Sequence, residues 1–112
     1  MKKKLSFNIV FENGSINEQD EVIDLINETV EEFKKLKKEF YFIIDFKAVT
    51  VAVSKMMGTI GKASTQEIVT GIDLINVQPQ IKNTATRFNF IQDDGKIRVF
   101  DLLREDSVEV VE

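Results

Sequence analysis

The 112 residues, 43% hydrophobic and 30% charged with no long polar or Pro/Gly-rich tract, have the composition of one folded domain with a single core. Zero cysteine and zero histidine exclude thiol nucleophiles, disulfides, imidazole bases and most zinc or transition-metal sites. The formal charge of -4, with the basic runs Lys2–Lys4 and Lys34–Lys38 each bounded by acids or a terminus, argues against non-specific nucleic-acid binding.

Met1-Lys2-Lys3-Lys4 is followed by alternation rather than a continuous apolar core. No signal peptide or direct membrane insertion is therefore expected, and the cytoplasm is the expected location. Leu5, Phe7, Ile9 and Phe11 alternate with Ser6, Asn8 and Val10, which predicts a strand, and Glu12-Asn13-Gly14-Ser15 supplies turn chemistry after it. Asn17 can cap a helix predicted over 18–38, with acids Glu18, Asp20 and Glu21 early and lysines late, as the helix dipole favours. Val22, Ile26, Val30, Phe33 and Leu36 mark its apolar stripe. The near-continuous apolar run 40–46 predicts a central strand covered on both faces by helices.

A second helix is predicted over 54–70, begun at Ser54 and ended at Gly71, with Met57 and Ile60 on its inner stripe. Its glycines, Gly58 and Gly61, cost helix stability and allow close approach either by the sheet or by a partner protein. Ile72–Val77 predicts a strand, Pro79 the first residue of a third helix reaching about Asn89, Asp93-Asp94-Gly95 a turn, and 96–100 a last strand. Leu102, Leu103, Val108 and Val111 suit either a terminal helix or an extended tail. Strand and helix alternate throughout, which predicts an α/β fold: a small, mostly parallel β-sheet of about four strands flanked by about four helices.

Little here carries catalysis. Gly58-Thr59-Ile60-Gly61 lacks both the Walker lysine and the three-glycine dinucleotide pattern. The acid pairs Glu31-Glu32 and Asp93-Asp94 fall on a solvated helix face and in a turn. Asp45 reads as a strand-end residue that accepts hydrogen bonds from the following loop, and no base is placed to activate a serine. A non-enzymatic protein without metal or cofactor is expected.

The run Phe42-Ile-Ile-Asp-Phe-Lys-Ala-Val-Thr-Val-Ala-Val-Ser-Lys-Met-Met-Gly58 resembles the STAS domain family of bacterial anti-sigma factor antagonists. There an apolar-apolar-Asp-Leu-x-x-Val strand leads to Asp-Ser-(Ser/Thr)-Gly-Leu-Gly at the start of the second helix. Gly14-Ser-Ile-Asn17, Ile75-Asn-Val-Gln-Pro-Gln-Ile81, Asn89-Phe90 and Lys96-Ile-Arg-Val-Phe100 are similar to further family segments, so the resemblance covers almost the whole chain. It implies a regulatory interaction module, and Ser54 matches the serine that a partner kinase phosphorylates. Val53 replaces the family's aspartate, Lys55-Met56 replaces Ser/Thr-Gly, and Gly58 keeps the final glycine. The implied partner is a serine kinase or anti-sigma factor, bound through Thr50, Val53, Ser54, Lys55, Met56 and Gly58. The alternative is a non-phosphorylated scaffolding subunit of a transporter or stressosome-like complex using the same surface.

From the residues alone, Ser54 is equally a plain N-cap. Met56 and Met57, about 100° apart on a helix, cannot both occupy the middle of one stripe, so Met57 is expected inside and Met56 at least partly exposed. There Met56 would serve either as a docking residue or as a cover for the sheet edge.

Overall fold

The computed structural model describes residues 5–88, 90 and 95–101. The element order is β1 (Leu5–Val10), α1 (Ile16–Leu36), β2 (Phe40–Asp45), α2 (Ser54–Ser64), β3 (Val69–Val77), α3 (Pro79–Arg87) and β4 (Ile97–Asp101). The four strands form one parallel sheet in the order β1-β2-β3-β4, with β2 in its interior. The α/β class and the alternation of elements are as the sequence predicts. Three helices lie among the described residues, and the expected terminal segment after Asp101 lies outside them, as do Asn89 and the Asp93-Asp94 part of the expected turn.

A parallel sheet whose spatial order follows the chain, joined by right-handed crossovers, receives all its crossover helices on one side. The burial pattern agrees. Phe40, Phe42 and Ile44 of β2 are fully buried while Tyr41, Ile43 and Asp45 are only half-buried. Register continues the buried row through Ile9 on β1, Ile72 and Leu74 on β3 and Ile97 on β4. The expectation of a central strand covered on both faces is therefore corrected: α1 and α2 pack against each other above one face. Among the described residues the opposite face is left open, and the bidentate Arg98–Asp73 pair (2.8 Å for both bonds) lies across it.

The core is aromatic at both ends of β2. Phe40 meets Phe33 of α1 edge-on at 4.1 Å between ring centroids and Phe42 at 4.9 Å, while Phe11 meets Phe46 at 5.6 Å. Burying each such ring contributes about 1.5–3 kcal/mol. Apolar residues at helical spacing from α1, α2 and α3 (Val22, Ile26, Met57, Ile60, Ile81, Ala85) complete it.

Boundaries differ from the sequence expectation where local chemistry outweighs periodicity. α1 is capped by Ser15 rather than Asn17, because the Ser15 hydroxyl accepts from the Glu18 N–H at 3.1 Å. α2 stops at Ser64, six residues short of the expected Thr70. Ser64 Oγ and Thr65 Oγ1 bond the carbonyls of Gly61 and Lys62, and the β-branched run Ile68-Val69-Thr70 then enters β3. Gly71 consequently lies inside β3 opposite Tyr41 rather than ending a helix. Pro79 opens α3 as expected.

Candidate functional site

Open parallel sheets present their working loops beyond the carboxyl ends of the strands. Here that edge carries the β1–α1 turn (12–15), the β2–α2 loop (46–53) and the β3–α3 corner (78–80). The loop begins with a local brace. Asp45 Oδ1 accepts from the Lys47 N–H at 2.9 Å and from Asn76 Nδ2 at 3.1 Å, so its expected strand-end role holds. Asn76 reaches it from a left-handed residue (φ 56°) at an irregularity in the β3–β4 pairing. The Val49 N–H then closes a turn onto the Phe46 carbonyl at 2.9 Å, with both side chains fully buried.

Beyond that turn the loop is held by three glutamines from outside it. Gln78 Nε2 donates to the Lys47 carbonyl at 2.9 Å, and Gln80 Nε2 to the Thr50 carbonyl at 3.3 Å. Gln19 of α1, fully buried, donates through Nε2 to the carbonyls of Val51 (2.8 Å) and Gly14 (3.0 Å) and accepts the Val53 N–H on Oε1 at 3.0 Å. A buried amide is tolerable only when satisfied in this way. Gln19 thus fastens the β1–α1 turn and the α2 entry to one another. Gly14 makes the approach possible, since its φ is +68° and a Cβ there would fall 2.8 Å from the Val49 Cα. None of these four residues is among the site residues expected from sequence. One signal was available for Gln19, a polar side chain on the stripe of Val22, Ile23 and Ile26; Gln78 and Gln80 give no such signal.

What the pinned loop presents differs in part from expectation. Thr50, Ser54, Lys55 and Gly58 are exposed and Val53 is half-buried. Val51, not among the expected site residues, is 69% exposed. Met56 is 0% exposed, as is Met57, so the expected exposure of Met56 is corrected. α2 packs on both α1 and β3, which widens its buried arc beyond the 100° separating two successive side chains. Ser54 is the first helical residue rather than the cap. The cap position belongs to Val53, which has no side-chain acceptor to offer, so α2 starts with no side-chain cap. The two glycines also separate. A Cβ at Gly61 would come within 3.3 Å of the Phe90 ring, whereas at Gly58 it would meet nothing within 4 Å.

The neighbouring helix start is charged and closed. The Glu18 carboxylate accepts the N–H groups of Glu12 (2.7 Å), Asn13 (3.0 Å) and Gly14 (2.7 Å). The bond from Glu12 is the largest influence holding its pKa below the ordinary value; burial opposes it, and the bonds from Asn13 and Gly14 add to the lowering. Among the described residues no group of three or more acidic, cysteine or histidine side chains is placed to hold a metal, and no helix is long and apolar enough to cross a membrane.

No family model, no curated protein and no solved structure matches this chain.

Proposed function

We propose that this chain is a non-catalytic regulatory interaction module of the STAS type, working in the cytoplasm and binding a serine kinase or anti-sigma factor through residues 50–58. Beyond the resemblance over 42–58, the observation that carries the reading is a loop held by three glutamines that turns Val51, Ser54, Lys55 and Gly58 outward at an uncapped helix start. A rigid loop loses little conformational entropy on docking. Exposed Val51 offers a partner an apolar contact, and side-chain-free Gly58 leaves room for its backbone. Phosphate on the exposed Ser54 would meet the unpaired N–H groups of the first turn and reverse the local charge set by Lys55. Met56, being buried, has no docking role in this scheme.

The test is titration calorimetry against an ATPase-type serine kinase or anti-sigma factor encoded beside this chain. Val51→Asp and Ser54→Asp should each weaken binding at least about tenfold. Ser54→Ala should bind as the unsubstituted protein does, and kinase with ATP should add one phosphate at Ser54. Undiminished affinity in both aspartate variants would refute the docking site. The scaffolding alternative is favoured by the apolar Val53 standing where the family has an acid. It predicts that Val51→Asp abolishes assembly while Ser54→Asp and Ser54→Ala behave alike.

A further inference from the structure

We propose that Asn13–Gly14 is a site of succinimide-mediated deamidation that the β1–α1 turn keeps shut, and that its isoaspartyl product opens the turn and releases the 51–53 backbone held by Gln19.

Asn13 is the only asparagine of the chain followed by glycine, and its side chain is exposed. A glycine there leaves the following peptide nitrogen unshielded, free to reach the side-chain amide carbon. In the reaction the Gly14 nitrogen loses its proton and attacks Asn13 Cγ. The N–Cγ bond forms, the bond from Cγ to Nδ2 breaks, and ammonia leaves carrying the proton. Water then opens the cyclic imide. Hydrolysis at the Cγ carbonyl gives aspartate; hydrolysis at the main-chain carbonyl gives isoaspartate, whose backbone runs through Cγ and is longer by a methylene.

The turn both prepares this reaction and blocks it. Asn13 Oδ1 accepts the Ser15 N–H at 2.8 Å, an Asx turn that draws the side-chain amide back along the main chain and polarises Cγ. Against it stands Glu18. Its carboxylate accepts the Gly14 N–H at 2.7 Å, so the nitrogen that has to lose a proton is bonded in its protonated form to a negative charge. The same carboxylate takes the N–H groups of Glu12 (2.7 Å) and Asn13 (3.0 Å), which fixes the peptide planes on both sides of Asn13. Gly14 is held further, at φ +68° with the backbone of Ala48 and Val49 against it. Cyclisation removes the very proton that Glu18 holds, so it proceeds only from molecules in which the turn has opened.

The product cannot close the turn again. A methylene inserted between residues 13 and 14 lengthens a segment fastened by Glu18 at one side and by Gln19, through the Gly14 carbonyl (3.0 Å), at the other. The Gln19 amide that loses this carbonyl also holds the Val51 carbonyl at 2.8 Å and the Val53 N–H at 3.0 Å. Deamidation at Asn13 is thereby felt at the entry of α2, irreversibly and whether or not that loop docks a partner.

Prolonged incubation of the full chain at mildly alkaline pH, followed by peptide mapping with isoaspartate detection, tests this. A synthetic peptide of residues 11–16 gives the rate without the clamp. Asn13 in the folded chain should convert at least about tenfold more slowly than in the peptide. Glu18→Gln, which keeps the shape but removes the charge, should recover much of that difference. Val30→Ala, which weakens the buried core away from the turn, should leave Asn13 protected. The purified isoaspartyl chain should exchange its Val53 amide faster, with the centre of α1 unchanged. A folded chain that converts as fast as the peptide, or a Glu18→Gln rate no higher than that of Val30→Ala, would overturn the proposal. Unaltered exchange at Val53 in the isoaspartyl chain would equally overturn it.

Discussion

The two helices that meet above the sheet begin in opposite ways. At α1, Ser15 accepts from Glu18, the Glu18 carboxylate takes three backbone N–H groups in turn, and Asn13 Oδ1 accepts the Ser15 N–H at 2.8 Å. These side-chain acceptors all come from within seven residues of sequence. At α2 the cap is a valine, the first turn carries no acid, and the order of the incoming loop comes from glutamines about thirty residues away in either direction. The first arrangement gives five backbone N–H groups, those of Glu12, Asn13, Gly14, Ser15 and Glu18, a side-chain acceptor. The second is held in place by distant residues while its own helix end stays unspent, which is how a fold keeps a surface both ordered and available.

The strongest way to break this contrast is to charge the support beneath α2. Met56→Glu places an unpaired carboxylate in a fully buried position and should cost about 4 kcal/mol or more, read as a collapse of the urea midpoint. A stable variant that merely loses partner affinity would show Met56 to be a docking residue instead. Next in size is Gln19→Leu, which keeps the volume but orphans the Val51 and Gly14 carbonyls and the Val53 N–H. A loss of about 2–4 kcal/mol is expected. Amide exchange at Val53 should also quicken relative to the centre of α1.

Acid probes the closed end. The Glu18 pKa is lowered on folding, chiefly by the bond from the Glu12 N–H, so the stability it contributes is present in full above its unfolded pKa. That contribution is lost as pH falls through the folded value. Denaturation midpoints between neutral pH and pH about 3 should therefore fall less steeply in Glu18→Gln than in the unsubstituted protein. Parallel profiles would remove Glu18 from the account.

The smallest expected effects sharpen the open end by closing it. Val53→Asp gives α2 a cap acceptor, and Gly58→Ala fills a position that meets only open space. Each should raise stability by about 0.5–1 kcal/mol in chemical denaturation. Both should weaken partner binding if the open end is the docking surface, so increased stability with unchanged affinity would argue that the end is merely unoptimised.

Local pattern was enough to place every described strand and helix in order, because period-two and period-3.6 spacings at Leu5–Phe11, Val22–Val30 and Ile81–Ala85 are properties of neighbouring residues. The same holds for the Asp45 brace and for Pro79, whose partners lie within reach of the local chain or need none. The end of α2 was obscured because Ile68, four residues after Ser64, continues the helical spacing of Met57, Ile60 and Ser64 although it lies in the turn before β3. Three features depended on packing between elements distant in sequence. Right-handed crossovers put the three described helices on one side and, among the described residues, left Tyr41, Ile43 and Asp45 on an open face, though the run 40–46 looks buried throughout. Contacts of α2 with both α1 and β3 buried Met56 together with Met57. Gln19 acquired its role only when folding brought Gly14 and the 51–53 backbone to the same amide, since a side chain's hydrogen-bond partners over more than thirty residues are set by topology and not by spacing.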